Sequence, residues 1–302
     1  MKIYDRLIDL PYTKRGVITI GTFDGLHKGH RRIISRLTEA GKETGRETIV
    51  ITFSNHPFEV LYPERVPDQI ACLDYKINFF RKKGINHLVL IKFTEDFAAH
   101  SHEVFFSQLT DLFGDILMIL GDDFRFGRGN LGDISYLQKM SVGMNLSLEI
   151  IERSSINDGQ VSSSGIRELI RNGNLEKATE YLERHYFIEG VTEKGEQIGR
   201  QIGFPTINIS NTRQVMPKNG VYKSEVELDG RFYPAMTFVG QKSVTTWDHP
   251  MIESHIFNFS REIYHKKVRI HFIARIRDEM KFRSLNELKE QLEKDKAIAI
   301  SG

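Results

Sequence analysis

The stretch GTFDGLHKGH, residues 21–30, follows the apolar run VITI and precedes an amphipathic segment. The run is typical of a buried strand, and Ile33, Ile34, Leu37 and Ala40 recur after the stretch at the spacing of one helix face. Glycines let a backbone approach a ligand closely, and the free N–H groups of a helix N-terminus attract phosphate. The stretch therefore predicts a phosphate site at the carboxyl edge of a parallel sheet.

Two histidines give this stretch its candidate chemistry. His27 and His30 are three residues apart, so we expect them on the same side of the first helical turn. Imidazoles beside a triphosphate can donate hydrogen bonds to the oxygens that gain negative charge during transfer. A solvated turn with two incidental histidines is the plain alternative. A zinc site is a weaker one, because no third ligand stands nearby and the glutamate of an HExxH motif is missing.

The first part of the chain alternates apolar runs with helical patterns. The runs TIVITF, HLVLIKF and DILMIL occupy residues 48–53, 87–93 and 115–120. Short buried strands separated by helices are typical of a parallel sheet with crossover helices. We therefore predict a doubly wound α/β domain over residues 1–184.

The second part of the chain has the period of strands. Residues 268–276 alternate apolar and mainly basic positions, and Asp229 and Gly230 form a hairpin signal between two strand-like runs. Ser284 and Glu287 form a capping box that opens a final helix. That helix is predicted to bury three leucines, Leu285, Leu288 and Leu292. The pattern predicts a small antiparallel barrel closed by a C-terminal helix over residues 185–302.

Composition narrows the class of protein. The chain has 302 residues, of which 40% are hydrophobic and 27% charged, as in globular proteins. A net charge of +2 is too small to argue for a nucleic-acid partner, and the lone Cys72 favours a reducing compartment. No apolar run approaches the roughly 18 residues of a membrane span. We therefore expect a cytoplasmic protein that binds neither nucleic acid nor membrane.

Three blocks of the first part resemble one superfamily. GTFDGLHKGH resembles the signature of the HxGH nucleotidyltransferases, in the form found in bacterial FAD synthetases. VSSSGIREL, residues 161–169, resembles the ISSTxIR motif, in which Arg167 would clamp the triphosphate. LGDDFRFGRGNLGD, residues 120–133, resembles a block that serves the nucleotide and flavin site. The resemblance implies ATP contacts for Gly21, Phe23, Asp24, Gly29, Ser162, Ser163 and Ser164, and flavin or nucleotide contacts for Asn55, His56, Asp123 and Arg125.

Two details of these blocks carry alternatives. Gly127, Gly129 and Gly132 spell GxGxxG, but DDFRF separates them from the preceding strand, which disfavours an NAD-type site. TFSNHPFEVL, residues 52–61, resembles a TFxPHP block in which Asn55 replaces a proline. That replacement puts the local loop shape in question.

A second candidate site lies in EKGEQIGRQIGFPTIN, residues 193–208. A glycine-rich loop that feeds a strand can wrap phosphates, and Thr206 and Asn208 would present oxygens for Mg²⁺ on one side of that strand. A glycine hairpin in a barrel is the alternative. The block resembles the GFPTAN signature of riboflavin kinases, and Glu253 in IESHIFNF matches their catalytic glutamate. The resemblance implies ATP or flavin contacts for Gly199, Gly203, Thr206, Asn208 and Tyr222.

Taken whole, the chain resembles the bifunctional bacterial riboflavin kinase/FAD synthetase family. That resemblance implies a six-stranded barrel, Mg²⁺ as cofactor, and riboflavin, FMN and ATP as substrates; FAD could then pass to flavin apoproteins. Catalytic roles would fall to His27, His30, Arg167 and Glu253. The kinase part departs from the family around Phe238, at Ser243 and at His265, which replaces a glycine. An FAD synthetase with a weakened kinase domain, and a non-catalytic flavin sensor or nucleic-acid binder, are the alternatives.

Overall fold

The computed structural model describes residues 1–152, 155–156, 159–194, 198–209, 213–240 and 251–301. The chain forms two compact units. The first comprises Met1–Pro67 and Leu73–Ser162, and the second comprises Asp68–Cys72 and Ser163–Gly302. The domain limits of 1–184 and 185–302 stay a prediction. Within the described residues, no helix has both the length and the apolar character needed to cross a membrane.

The first unit is built on a parallel sheet. Its strands, with two short antiparallel pairs among them, are β1 (Lys2–Tyr4), β2 (Thr13–Ile20), β3 (Glu47–Phe53), β4 (His87–Ile91), β5 (Phe113–Gly121), β6 (Arg125–Phe126), β7 (Gly132–Asp133), β8 (Leu146–Ile151), β9 (Ser155–Ile156) and β10 (Gly159–Gln160). The sheet has the order β1-β4-β3-β2-β5-β8, and every neighbouring pair in it is parallel. The predicted doubly wound sheet is confirmed.

Helices cover both faces of this sheet. They are α1 (Lys28–Thr44), α2 (Phe58–Leu61), α3 (Leu73–Lys82), α4 (Glu95–Ala99), α5 (His102–Thr110) and α6 (Ile134–Ser141), with 3-10 turns at Leu7–Asp9, Asp24–Leu26, Pro63–Arg65 and Arg128–Asn130. Alternate residues of β2 enter different cores, since Val17 packs in one cluster and Ile18 and Ile20 pack in the other. Burial on both faces explains why the strands are continuous apolar runs.

The strand order reverses between β2 and β5. From β2 the chain builds outward through β3 and β4 on one side, and through β5 and β8 on the other. In open α/β sheets, ligands bind beyond the carboxyl ends of the strands at such a reversal. The loops that begin at Gly21 and Asp122 leave this point.

The second unit contains a closed antiparallel barrel in the order β11-β12-β15-β14-β13-β16. Its strands are β11 (Tyr186–Glu193), β12 (Ile207–Ile209), β13 (Gly220–Leu228), β14 (Arg231–Gly240), β15 (Met251–Ile256) and β16 (Lys267–Arg277). Its helices are α7 (Ser163–Arg171), α8 (Leu175–Leu182), α9 (Ile198–Gln201) and α10 (Leu285–Ile300). Asp229 and Gly230 both have positive φ, 50° and 76°, as a tight hairpin requires. The six-stranded barrel and its hairpin are confirmed.

Helix α10 begins where it was predicted but buries other residues. Ser284 accepts a hydrogen bond from the Glu287 amide, which confirms the cap. The predicted burial of Leu285 was wrong, because this side chain is 50% exposed. Leu288 and Leu292 are only partly buried, and the fully buried side chain is that of Asp295. The Arg277 guanidinium lies 2.8 Å from the Asp295 carboxylate, so an ion pair fixes the C-terminal half of the helix to β16.

Candidate active sites

The loop of residues 21–30 has an unusual backbone. Phe23, Gly25 and Leu26 have φ values of 49°, 82° and 48°. The left-handed region is strained for residues with a side chain, and such strain concentrates at functional sites. Helix α1 begins directly after His27, whose side chain caps its N-terminus. The predicted placement between a strand and a helix N-terminus is confirmed.

The two histidines of this loop stack on each other. Their ring centroids are 3.6 Å apart, and Nδ1 of His27 accepts a long hydrogen bond of 3.4 Å from the His30 amide. His27 is buried, and the ring of Phe23 meets the His30 ring edge-on at 5.4 Å. A Cβ at Gly29 would lie 3.3 Å from the His27 ring, so a glycine here leaves room for the stack.

Burial sets the charge of the pair. It lowers the pKa of His27 to about 4, although the Asp24 carboxylate opposes that shift. Burial is also the main cause that lowers the pKa of His30 well below its usual range, and the neighbouring His27 and Lys76 lower this pKa further. A neutral His27 whose Nδ1 accepts must carry its proton on Nε2, which makes Nε2 a donor. Nδ1 of His30 is buried and has no hydrogen-bond partner within the described part of the chain.

Other predicted residues of this site are placed around the loop. Phe23 and Asp24 are buried, and a Cβ at Gly21 would lie 3.2 Å from the Phe23 ring. The Lys76 ammonium donates to the Thr22 carbonyl at 3.3 Å. Sequence reasoning missed Lys76, since its segment reads as an ordinary amphipathic helix.

The loops beyond β3 and β5 hold the next predicted residues. The Asn55 amide is bonded to the backbone of Phe93, and His56 accepts a hydrogen bond from the Phe58 amide at 3.1 Å. Asp123 lies in the turn after β5, and the Arg125 guanidinium lies 2.7 Å from the Asp133 carboxylate. Ligand contacts by these four residues stay predictions.

The glycines of GxGxxG do not form a dinucleotide turn. Gly127 and Gly129 have φ values of 74° and 66° and lie in the small hairpin between β6 and β7. The next helix, α6, is capped by Asp133 instead of opening at these glycines. The structure thus agrees with the sequence-based preference against an NAD-type site.

VSSSGIREL contains the start of α7, and its residues from Ser163 onward belong to the second unit. Arg167 is buried, and its Nε donates to the Asp68 carbonyl at 2.8 Å. Ser162 precedes the helix, while Ser163 and Ser164 lie in its first turn. The contacts of these residues with a triphosphate stay a prediction.

The barrel assembles the second candidate site through strand register. Asn208 on β12 lies directly opposite Glu253 on β15, and Glu253 lies opposite Phe238 on β14. Side chains of such cross-strand pairs have Cβ atoms about 5 Å apart. Thr206 immediately precedes β12 and is two residues from Asn208. The structure therefore brings the PTIN tetrapeptide and Glu253 together.

The glycine-rich turn before PTIN is tight. A Cβ at Gly199 would lie 2.2 Å from the Phe204 carbonyl oxygen, and Gly203 has a φ of 90°. Nδ1 of His255 lies 2.8 Å from the Pro205 carbonyl. These contacts explain why the turn needs glycine and how it is fixed to β15.

The remaining kinase residues differ in their surroundings. Tyr222 is fully buried, its hydroxyl donates to the Lys218 carbonyl, and burial raises its pKa. His265, where the family has glycine, has a φ of 55°. Ser243 lies outside the described residues.

Known proteins match both units. Residues 10–165 match the family described as FAD synthetase, and residues 182–301 match the family described as riboflavin kinase. The bifunctional riboflavin kinase/FMN adenylyltransferase of Bacillus subtilis (strain 168) is 34% identical over 291 residues, which cover 95% of this chain and 92% of that protein. The chain belongs to the bifunctional riboflavin kinase/FMN adenylyltransferase family. The protein of the same name from Escherichia coli (strain K12) is 32% identical, with 94% of this chain and 91% of that protein covered.

One solved structure is similar to this family member over the whole length of the chain. The crystal structure described as a macrolide-efflux protein from Streptococcus pneumoniae matches with a TM-score of 0.88 and 27% identity. It covers 100% of this chain and 99% of that chain. The two proteins share their fold in both units.

Proposed function

We propose that the chain carries out both reactions of its family. In the first, ATP phosphorylates riboflavin to FMN; in the second, AMP passes from another ATP to FMN, giving FAD and pyrophosphate. One observation supports this most directly: each unit carries an assembled candidate site. The first has the His27–His30 stack at the N-terminus of α1, and the second has Asn208 opposite Glu253.

Adenylyl transfer needs no protein nucleophile. A phosphate oxygen of FMN attacks the α-phosphorus of ATP in line, and pyrophosphate leaves. His27 and His30 would donate hydrogen bonds to the oxygens that gain charge, and the backbone N–H groups at the start of α1 would hold the triphosphate. For Arg167, a part in triphosphate binding rests on the resemblance of VSSSGIREL to the ISSTxIR motif. Catalysis at this site is therefore positioning and charge stabilisation.

Riboflavin phosphorylation needs a base at the acceptor hydroxyl. Glu253 would take the proton of the ribityl 5′-hydroxyl as the γ-phosphoryl group arrives. Asn208 lies opposite Glu253, and Thr206 is two residues from Asn208; their side-chain oxygens are a donor set that fits Mg²⁺. These two residues would hold the ion, which neutralises phosphate charge when bound. Strand register places this base opposite the side chain of Asn208.

Product analysis tests both halves of the proposal. The full chain is incubated with Mg-ATP and either riboflavin or FMN, and the flavins are separated by chromatography. We expect FMN and FAD from riboflavin, and FAD from FMN. If FAD formed from FMN but no FMN formed from riboflavin, the chain would have only the FAD synthetase activity. The match of residues 182–301 to riboflavin kinases does not favour that alternative.

FAD formed by the chain would pass to flavin apoproteins. To test this transfer, a flavoenzyme without its cofactor is added to the reaction, and we expect its activity to return. A reducing cytoplasm would suit Cys72, the one cysteine of the sequence.

A further inference from the structure

Asn55 joins two loops at the ligand-binding edge of the first unit. Its Nδ2 donates to the Phe93 carbonyl at 3.0 Å, and its Oδ1 accepts from the Phe93 amide at 2.8 Å. The last backbone hydrogen bond between these two segments runs from the Ser54 N–H to the Ile91 carbonyl, so the Asn55 side chain continues the pairing beyond it. The Asn55 side chain thus links the loops that follow these two strands by a pair of hydrogen bonds.

The same two strands are joined by another asparagine at the opposite edge. Oδ1 of Asn86 accepts hydrogen bonds from both the backbone N–H and the hydroxyl of Thr48, each at 2.9 Å. The backbone N–H of Asn86 in turn donates to the Thr48 hydroxyl. This contact lies where β3 and β4 begin. In a parallel sheet that edge is remote from the ligand edge. The molecule thus contains two asparagine clamps on one strand pair, at its two ends.

The loops joined by Asn55 carry aromatic rings. Phe93 packs edge-on against Phe53 and Phe97, with centroid distances of 5.3 and 5.5 Å. Phe58 and Tyr62, in and just after α2, are partly exposed and meet each other at 5.2 Å. Aromatic rings of this kind suit a flat ligand ring, whereas the phosphate loop after β2 suits charge. Since strands lie about 4.8 Å apart, β4 is about 10 Å from β2, within reach of one flavin mononucleotide.

We propose that Asn55 is a positioning residue for FMN in adenylyl transfer, because its amide holds these two loops in one arrangement. The proposal rests on the proposed function. The family block resembled by this segment has proline at this position, and proline stiffens a loop by fixing φ. Asparagine achieves the same end with two hydrogen bonds. The apparent departure from the motif is therefore a different way of ordering the same loop.

The test compares Asn55→Ala with Asn86→Ala in the full chain. FAD formation is measured with FMN and ATP varied separately, and thermal unfolding is measured for each variant. We expect Asn55→Ala to raise KM for FMN about fivefold, to leave kcat within about twofold, and to leave KM for ATP unchanged. We expect Asn86→Ala to lower the thermal unfolding temperature about as much as Asn55→Ala does. It should leave both KM values unchanged.

Two results would overturn this assignment. An unchanged KM for FMN in Asn55→Ala would contradict the role of Asn55 in positioning FMN. An equal rise of this KM in Asn55→Ala and Asn86→Ala would also contradict it, because it would show a general loosening of β3 and β4. If Asn55→Ala does not fold, Asn55→Asp keeps the size and one acceptor but places a carboxylate oxygen against the Phe93 carbonyl. It should raise KM for FMN at least as much, and an unchanged KM would count equally against the assignment. Absence of FAD synthesis in the unmodified chain would instead contradict the proposed function.

Discussion

The two candidate sites are built in opposite ways. The first is local, since one loop of ten residues supplies both histidines and the helix N-terminus. The second depends on register, since Asn208 and Glu253 meet across two strands of a barrel. A local site can be changed by one altered ring or glycine, whereas a register site is held in place by whole strands. Substitutions should therefore separate the two activities cleanly.

The largest effect is expected at Glu253. Glu253→Gln removes the base but keeps the size of the side chain opposite Asn208. A general base contributes about 10²- to 10⁴-fold, so we expect FMN formation from riboflavin to fall by about that factor. FAD formation from supplied FMN should stay within about twofold of the unmodified chain, as measured by flavin chromatography. Equal loss of both activities would contradict the assignment of Glu253 to the kinase step alone.

The converse variant is His30→Ala. It removes one ring of the stack with His27 and the buried Nδ1 that it carries. Loss of one preorganised donor costs about 10²- to 10³-fold, so FAD formation from FMN should fall by about that factor. FMN formation from riboflavin should be nearly unaffected in the same preparation. If both activities fell together, the two-site arrangement would be refuted.

A subtler change in the local site is Gly29→Ala. The added Cβ would lie 3.3 Å from the His27 ring, so the ring must shift by a few tenths of an ångström. Small misplacements at a reacting centre are costly, and we expect FAD formation to fall about tenfold. Lys28→Ala, one residue earlier in the same turn, is the matched control and should stay near the unmodified rate. A Gly29→Ala enzyme as active as the control would argue against a role for the stack.

The local site was readable from the sequence for a physical reason. Its strand, loop and helix signals are contiguous, so residues 21–30 could be placed without knowing any tertiary contact. The pairing of Asn208 with Glu253 could not be derived from spacing, because register depends on how strands between them and around them align. For that site the family resemblance supplied what local patterns lacked.

Errors and omissions in the fold have similar causes. The edge strands β1 and β8 were not predicted, since three residues or a half-buried pattern give a weak strand signal. The buried face of α10 was predicted from its leucines, yet it includes Asp295. A carboxylate is buried there because Arg277 on β16 neutralises it, and a helical pattern contains no information about that partner.

The local site should also make stability depend on pH. Burial lowers the pKa of His27 from its ordinary value of roughly 6.5 to about 4. The unfolded chain then binds more protons between these values, so stability falls as pH falls through that window. A shift of this size corresponds to a loss of roughly 3 kcal/mol in the free energy of unfolding, which is complete once the pH lies below the folded-state pKa.

Urea unfolding at several pH values measures this effect. His27→Gln removes the titrating ring, so the variant should lose less stability than the unmodified chain between about pH 6.5 and pH 4. Identical pH profiles for the two proteins would show that His27 is not the group responsible.

The smallest expected effect concerns a departure from the family in the barrel unit. His265 has a φ of 55°, and its amide donates to the Thr192 carbonyl at 2.8 Å, which fixes this conformation. A left-handed conformation costs a residue with a side chain about 1 to 2 kcal/mol, while glycine adds up to about 1 kcal/mol of unfolded-state entropy. His265→Gly should therefore stabilise the chain by about 0.5 to 1 kcal/mol in urea unfolding. His265→Ala keeps a Cβ and should give no gain, and Lys266→Gly, at the neighbouring position outside the left-handed region, should destabilise. If Ala stabilised as much as Gly, the imidazole and not the backbone would be the source of the strain, and the family's glycine at this position would need another explanation.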